Sequence, residues 1–478
     1  MYIDMHCHPA MKPLGKSFQK KSTEYRQSKN PRDKSSLWYM DRAGAFERVL
    51  NELITVTKFS QADFSTLSYG KVGAICASLY PLEKGFVNTR VGDELIPDLL
   101  VGFVSGLSQR RVNHLDDMKN YFDDLVKERE FYEQMDGVEV NLERGKFKYK
   151  IADNYEELKL NLDNTAENIV SVFFSIEGGH VFNTGIHPKE NTANREEVLR
   201  NVETVKSWEH KPLFLTLSHH FYNELCGHAP SLGGFVGKVL NQKRGLNEGF
   251  TQLGEEVVHK LLDKAHGNRI LIDIKHMSEK SRQRYYEILD SDYKTDNIPL
   301  LVSHGGMNGL VEFTNNRYGH YDTSRKMMTG TINFYDKEVV RIAISGGLFC
   351  LQLDERRLIA PDELDAIKRK ERKDDRLYYR SKIVWNQIQH IAEVLNDHGL
   401  DAWSTCAIGS DNDGIVDPLN GFWTAEFFPF LELHLQEHAF NYMNDKGAAL
   451  LQKNQIEPDI IVSRVMYSNA LGFLSRTF

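Results

Sequence analysis

Ile169-Val170-Ser171-Val172-Phe173-Phe174-Ser175-Ile176-Glu177-Gly178-Gly179-His180 is a β-branched and aromatic run that stops at a carboxylate, two glycines and a histidine. Apolar residues on both faces, with only small serines between them, read as a strand buried on both sides, as in a parallel sheet. The pattern repeats along the chain. Leu213-Phe214-Leu215-Thr216-Leu217 stops at Ser218-His219-His220, Ile270-Leu271-Ile272-Asp273-Ile274 at Lys275-His276, and Pro299-Leu300-Leu301-Val302 at Ser303-His304-Gly305-Gly306. Gly346 to Leu351 runs into Gln352-Leu353-Asp354, and Thr405-Cys406-Ala407-Ile408-Gly409 into Ser410-Asp411-Asn412-Asp413-Gly414. Upstream, Val72 to Tyr80 and the opening Tyr2-Ile3-Asp4-Met5, which ends at His6-Cys7-His8, have the same character.

These eight strand-like runs alternate with helical segments such as Asp41 to Phe59, Leu253 to Lys264 and Asp336 to Ile344. Eight β/α units predict an α/β fold, a single (β/α)₈ TIM barrel over residues 1–478, rather than an open doubly wound sheet. No glycine-rich dinucleotide fingerprint follows any of the strands, which also disfavours the open sheet. Insertions are expected at about 11–36, 81–160, 229–248, 305–330 and 355–380. The first reads as a long polar loop, and Leu95 to Gln134 within the second is mostly helical in pattern. The run Lys368 to Arg376 interleaves acids with its bases and reads as a solvated helix face.

Composition narrows the function classes. Fifty-nine Lys and Arg against 67 Asp and Glu give a formal charge of −8, with no basic block, so a nucleic-acid partner is not expected. The five cysteines are odd in number and widely spaced, mostly inside apolar runs, as reduced core thiols are. Asp4 and His6 interrupt the N-terminal apolar stretch at once, and no window reaches a membrane-spanning length. The expectation is a cytoplasmic protein with no membrane association.

Active sites of (β/α)₈ barrels lie at the carboxyl ends of the strands, where this chain places its ionisable residues. His6 and His8 leave a strand end on one side, because strand side chains alternate with a period of two. Alone, an H-x-H is more often a pair of histidines that satisfy ordinary hydrogen bonds than a metal clamp. A hydrolytic two-metal site, however, needs imidazole and carboxylate ligands, a carboxylate able to bridge, and an outer group to carry the proton. His6, His8, Glu177, His276, His304 and Asp411 complete that set, each at or just past a strand end.

The motifs His6-Cys7-His8, Ile176-Glu177-Gly178-Gly179-His180, Leu215 to His219, Leu271 to Ser278, Ser303-His304 and Gly409-Ser410-Asp411-Asn412-Asp413-Gly414 resemble, in this order, those of the membrane dipeptidase (renal dipeptidase) family. That family belongs to the metal-dependent amidohydrolase superfamily, and the similarity runs from residue 1 to Asn469-Ala470-Leu471. The resemblance implies a barrel of the amidohydrolase type with two divalent ions, zinc being expected. His6 and His8 would hold one, His276 and His304 the other, and Glu177 would bridge. It also implies that His219 contacts the substrate or the tetrahedral intermediate, that Asp411 carries the proton, and that a metal-bridging hydroxide attacks the amide of a dipeptide. His180, Asp4 and His220 are expected in supporting or structural roles, with Asp413 open to either.

Two departures bear on substrate and metal. The family usually has aspartate where His8 stands, and Ile332 occupies the place of the arginine that binds the substrate carboxylate. Arg317, Arg325 or Arg356 could replace that arginine. The competing readings are an amidohydrolase acting on another amide, lactone or cyclic substrate, and a metal-binding barrel without catalysis. Expected partners are a small-molecule substrate and, at most, a second copy of the chain.

Overall fold

In the computed structural model the strand at Ile169–Glu177 sits inside a ring of parallel strands. The structure describes all residues except 18–24, 55–56, 58, 88–108, 188, 234–236, 238–239, 265–266, 371, 373–374 and 415–416. In chain order the strands are β1 (Tyr2–Cys7), β2 (Val72–Leu79), β3 (Val140–Leu142), β4 (Gly145–Ile151), β5 (Ile169–Glu177), β6 (Pro212–Thr216), β7 (Leu271–Asp273), β8 (Leu301–Gly305), β9 (Leu310–Glu312), β10 (Asn315–Tyr318), β11 (Leu348–Leu351) and β12 (Cys406–Ile408). The barrel path is β1-β2-β5-β6-β7-β8-β11-β12, all parallel and in chain order.

The ring closes just past the ends of β12 and β1. The His8 amide donates to the Asn412 carbonyl at 2.9 Å and the Asp411 amide to the His6 carbonyl at 2.8 Å. Beneath this seam the carboxylate of Asp4 accepts from the Ser410 amide at 2.8 Å and the Ser410 hydroxyl at 2.5 Å, so a buried polar side chain stitches first strand to last. The architecture is the (β/α)₈ barrel expected from the eight runs.

The helices follow from spacing and caps. In Arg195–Lys206, Val198, Val202 and Val205 bury one stripe. Each contributes on the order of 1.5–3 kcal/mol by leaving water, and Asn194 caps the helix by accepting from the amides of Glu196 and Glu197. Thr251 and Ser278 cap Gln252–Leu262 and Glu279–Asp292 in the same way. One core cluster reaches from Tyr2 to Leu474, and all five cysteines are free and buried. Among the described residues no helix is long and apolar enough to cross a membrane.

The insertions hold more structure than their sequence suggested. Residues 11–36 begin with a helix, Met11–Ser17, rather than a loop from the outset. Within 81–160 the antiparallel hairpin of β3 and β4 precedes β5, and β4 pairs in parallel with Lys148↔Ile169 through Ile151↔Val172. Lys146-Phe147-Lys148-Tyr149-Lys150-Ile151 alternates polar and apolar residues, a strand signal overlooked beside the charge-rich helical pattern. That pattern forms the helices Gln109–Asp117 and Tyr121–Glu133, while its portion before residue 109 lies outside the described residues. The helix Pro361–Lys370, which begins the charged run, buries none of its residues.

Candidate metal centre

β1 delivers His6 and His8 to one point. Their Nε2 atoms lie 3.2 Å apart, His6 Nε2 is 3.4 Å from Glu177 Oε1 and His8 Nε2 is 3.1 Å from Glu177 Oε2. From the neighbouring strands, His276 Nε2 and His304 Nε2 approach each other to 3.1 Å and stand 3.6 and 3.5 Å from Glu177 Oε1. Glu177, at the end of β5, thus lies between two histidine pairs. None of these five residues is more than 5% exposed.

The backbone is bent to achieve this. His276 (φ 64°) and Asp411 (φ 59°) are both left-handed, a conformation that costs about 1 kcal/mol or more in a residue with a side chain. Close approach also dictates a glycine: a Cβ on Gly414 would fall 2.0 Å from Asp411 Oδ1. With that space open, Asp411 Oδ1 faces His8 Nε2 at 3.5 Å and His6 Nε2 at 3.8 Å. The Gln352 amide donates to Asp411 Oδ2 at 2.7 Å, leaving the other oxygen for the centre.

Supporting contacts fix which nitrogens can bind a cation. Ser303 Oγ spends its only proton on Asp273 Oδ2 at 2.5 Å, so at 2.8 Å it accepts from His304 Nδ1, and His304 Nε2 presents a lone pair inward. Asp273 also accepts from Thr216 Oγ1 at 2.6 Å and from the amides of Lys275 and Ser303, joining β6, β7 and β8. Burial holds His276 and His304 well below the usual imidazole range, favouring the neutral ligand form. At His8 burial opposes charge, yet Glu177 and Asp411 outweigh it and push the pKa up to about 10. The carboxylates demand positive charge at this spot.

The donor set fits divalent cations. A single imidazole Nε2 can give or take one hydrogen bond, yet here four such atoms converge pairwise on each other and on one carboxylate. Divalent ions held by His6, His8, His276, His304 and Glu177 would satisfy the four Nε2 atoms and the carboxylate that face one another, and N and O ligands suit such ions.

His219 joins the cluster from beyond β6. Its Nε2 is 3.5 Å from Glu177 Oε1, and its Nδ1 donates to Glu83 Oε2 at 2.7 Å. Glu83 also accepts from the Tyr80 hydroxyl at 2.9 Å and the Phe221 amide at 3.0 Å. Burial would lower the His219 pKa, but Glu177 and Glu83 overcome it and raise it. Of the histidines expected in supporting roles, His180 Nε2 donates to the Pro81 carbonyl at 2.7 Å, and His220 Nδ1 lies 2.7 Å from Ser231 Oγ, which accepts from the Gln242 side-chain amide at 2.8 Å. Asp413 is pinned by Lys12 at 2.7 Å and by the amides of Gln61 and Ala62.

The three candidate arginines are not gathered with these residues. Arg317 and Arg325 are exposed, the latter with its guanidinium over the Tyr318 ring. Arg356 grips Asp354 through two bonds, at 3.0 and 2.5 Å. Ile332 is buried, 1% exposed. Sequence reasoning missed Glu83, which holds His219, and Gln352, which holds Asp411. Glu83 follows β2 by a few residues and Gln352 follows β11 directly, so their strand-end position was the available signal.

No protein-family model matches this chain, and no curated protein matches it in sequence. Solved structures do. A metallo peptidase from Rhodobacter sphaeroides, liganded with a phosphinate mimic of the dipeptide L-Ala-D-Ala, aligns over 100% of this chain and 99% of its own, with TM-score 0.52 and 13% identity. Dipeptidase AC, a metallo peptidase, aligns over 87% and 89% with TM-score 0.49 and 14% identity. An amidohydrolase from Pseudomonas aeruginosa aligns over 86% and 90% with TM-score 0.43 and 14% identity. The chain shares the (β/α)₈ barrel fold of the Rhodobacter sphaeroides metallo peptidase along its whole length.

Proposed function

We propose that this protein is a metal-dependent hydrolase that cleaves the amide bond of a dipeptide or a similar small substrate. The observation that carries the reading is Glu177, one buried carboxylate set between the pairs His6/His8 and His276/His304. The shared fold with a metallo peptidase supports it. His6, His8, His276, His304 and Glu177 would hold two divalent ions, with zinc the preferred identity.

Bound there, such ions would supply Lewis acidity and a water of lowered pKa. His219, donating from Nε2, would meet the negative charge that develops on the amide oxygen, and Glu83 fixes the ring that does so. Asp411 Oδ1 would receive the proton of the attacking water and pass it to the leaving amine, while Gln352 holds the far oxygen. Replacement of the family's aspartate by His8 leaves the pair with one negative charge fewer, which shifts metal preference rather than abolishing binding.

A second reading, an amidohydrolase for a non-dipeptide amide, lactone or cyclic substrate, is favoured by the buried Ile332 and by the engagement of Arg356 with Asp354. Assay of the zinc-loaded protein against dipeptides of both chiralities beside lactones and cyclic amides separates the two. Dipeptide turnover is expected, and turnover confined to the other compounds would replace the first reading by the second. No turnover of any compound would leave a metal-binding barrel without catalysis.

A further inference from the structure

Most buried cations of this barrel have a carboxylate. Arg111 pairs with Asp124 at 2.7 Å, Arg282 with Glu338 at 2.9 Å and Arg380 with Glu355 at 2.8 Å. Two at the carboxyl ends of the strands do not. Lys275, adjoining His276 and 1% exposed, meets a single acceptor among the described residues, Gln352 Oε1, at a long 3.4 Å. Arg357, half-buried on the short helix Glu355–Leu358 after β11, donates to the Ser231 carbonyl and forms no ion pair among the described residues. Its backbone is fixed, because the Asn333 amide donates to the Arg357 carbonyl at 2.6 Å and the Arg357 amide to the Asp354 carbonyl at 3.0 Å.

The two cations belong to one corner of the mouth. Gln352 spans from Lys275 Nζ to Asp411 Oδ2, and Ser231 spans from Arg357 to His220. His220 in turn packs edge-on against His276, ring centroids 5.4 Å apart, and Lys275 directly precedes His276. An ammonium buried with one weak partner is unfavourable, and a ligand that brings the missing charge relieves this. The donors are also of the right type, since a guanidinium fork and an ammonium together match a carboxylate.

We infer that Lys275 and Arg357 form a cationic subsite that binds a carboxylate of the substrate, on the Gln352 side of Asp411. This rests on the hydrolase reading for its use in turnover, and it specifies the substrate as an acid, such as a dipeptide or an N-acyl amino acid with a free carboxylate. The anchor comes from β7 and from the helix after β11, not from the position of Ile332. An acidic group held there lies beside the proton-carrying carboxylate, so it also sets which side of the scissile bond faces Asp411.

Titration calorimetry of the zinc-loaded protein with a phosphinate dipeptide mimic bearing a free carboxylate, and with the same mimic as its carboxamide, tests the subsite. The wild type should prefer the acid by on the order of 10- to 100-fold, the range of one or two charge-assisted hydrogen bonds. Lys275→Met and Arg357→Met should each lower that preference about tenfold without weakening the amide, and Arg357→Lys should retain part of it. Should Arg357→Met disturb the Ser231 loop and weaken both probes alike, Lys275→Met decides, since among the described residues its ammonium bonds only Gln352. A wild type indifferent to the carboxylate, or a Lys275→Met variant with full preference, overturns the inference. Acid preference without hydrolysis of any peptide would refute the hydrolase and keep the subsite. Equal hydrolysis of acid and amide substrates with equal binding would do the reverse.

Discussion

His6 and His8 leave a single strand two residues apart, whereas His276 and His304 leave the neighbouring strands β7 and β8, 28 residues apart in sequence. Both pairs nevertheless bring their Nε2 atoms to about the same separation, 3.2 and 3.1 Å. The first pair is set by local alternation, and the Nδ1 atoms of His6 and His8 find no hydrogen-bond partner among the described residues. Asp4 beneath them holds backbone and Ser410, not an imidazole. In the second pair, the His304 ring is oriented through Ser303 by Asp273, a carboxylate that ties three strands together. One half is therefore positioned by the chain's own pitch, while in the other a buried relay holds His304 and the Nδ1 of His276 has no hydrogen-bond partner among the described residues, so His304 should respond most to loss of its support.

The largest effect is expected where the halves act together. Asp411→Asn removes the proton carrier that faces His6 and His8, and kcat on a hydrolysed dipeptide should fall by about 10²–10⁴-fold while metal content is retained. Steady-state kinetics with metal analysis checks this, and an unchanged kcat would remove Asp411 from the chemistry. Next comes the relay. Asp273→Asn should weaken metal affinity by about 10–100-fold through loss of the His304 orientation, measured by competition with a chelating indicator. Asp4→Asn should alter affinity by less than that and instead lower thermal stability, because its bonds close the barrel. Equal losses of affinity from the two substitutions would erase the distinction between the halves.

The smallest effect concerns the ground under the first half. Asp63 caps the helix Phe64–Tyr69 next to Gln61 and Ala62, whose amides hold Asp413. Burial pushes its pKa from 3.8 up to about 7 against the bonds from Thr66 and Ser60. The folded state therefore keeps this proton longer than the unfolded chain. Its contribution is full below pH 3.8 and is lost as pH rises through about 7. Denaturant unfolding between pH 4 and pH 8 should show stability falling with pH, by up to about 1.4 kcal/mol per unit from this group. Asp63→Asn should flatten that slope. A variant with the wild-type slope would show that Asp63 stays ionised in the fold.

The contrast between the halves also explains what the sequence could reveal. His6-x-His8 is legible because a period of two is a local property, and the eight strand ends are legible because buried parallel strands leave continuous apolar runs. Glu177, His276, His304 and Asp411 could be chosen because they end such runs. The choice among arginines was not legible. Arg356 and Arg357 are adjacent, and which one forms no ion pair among the described residues depends on Asp354, the helix cap two residues before Arg356, folding onto it. Glu83 was hidden for a related reason: its partner His219 lies 136 residues away and meets it only once β2 and β6 take their places in the ring.

The central claim, a two-cation centre bridged by Glu177, is tested most directly by counting metal. Purified protein equilibrated with zinc and freed of excess should hold two equivalents by elemental mass spectrometry, and Glu177→Ala should hold no more than one while remaining folded by circular dichroism. Fewer than one equivalent in the wild type, or two retained in Glu177→Ala, would contradict the account.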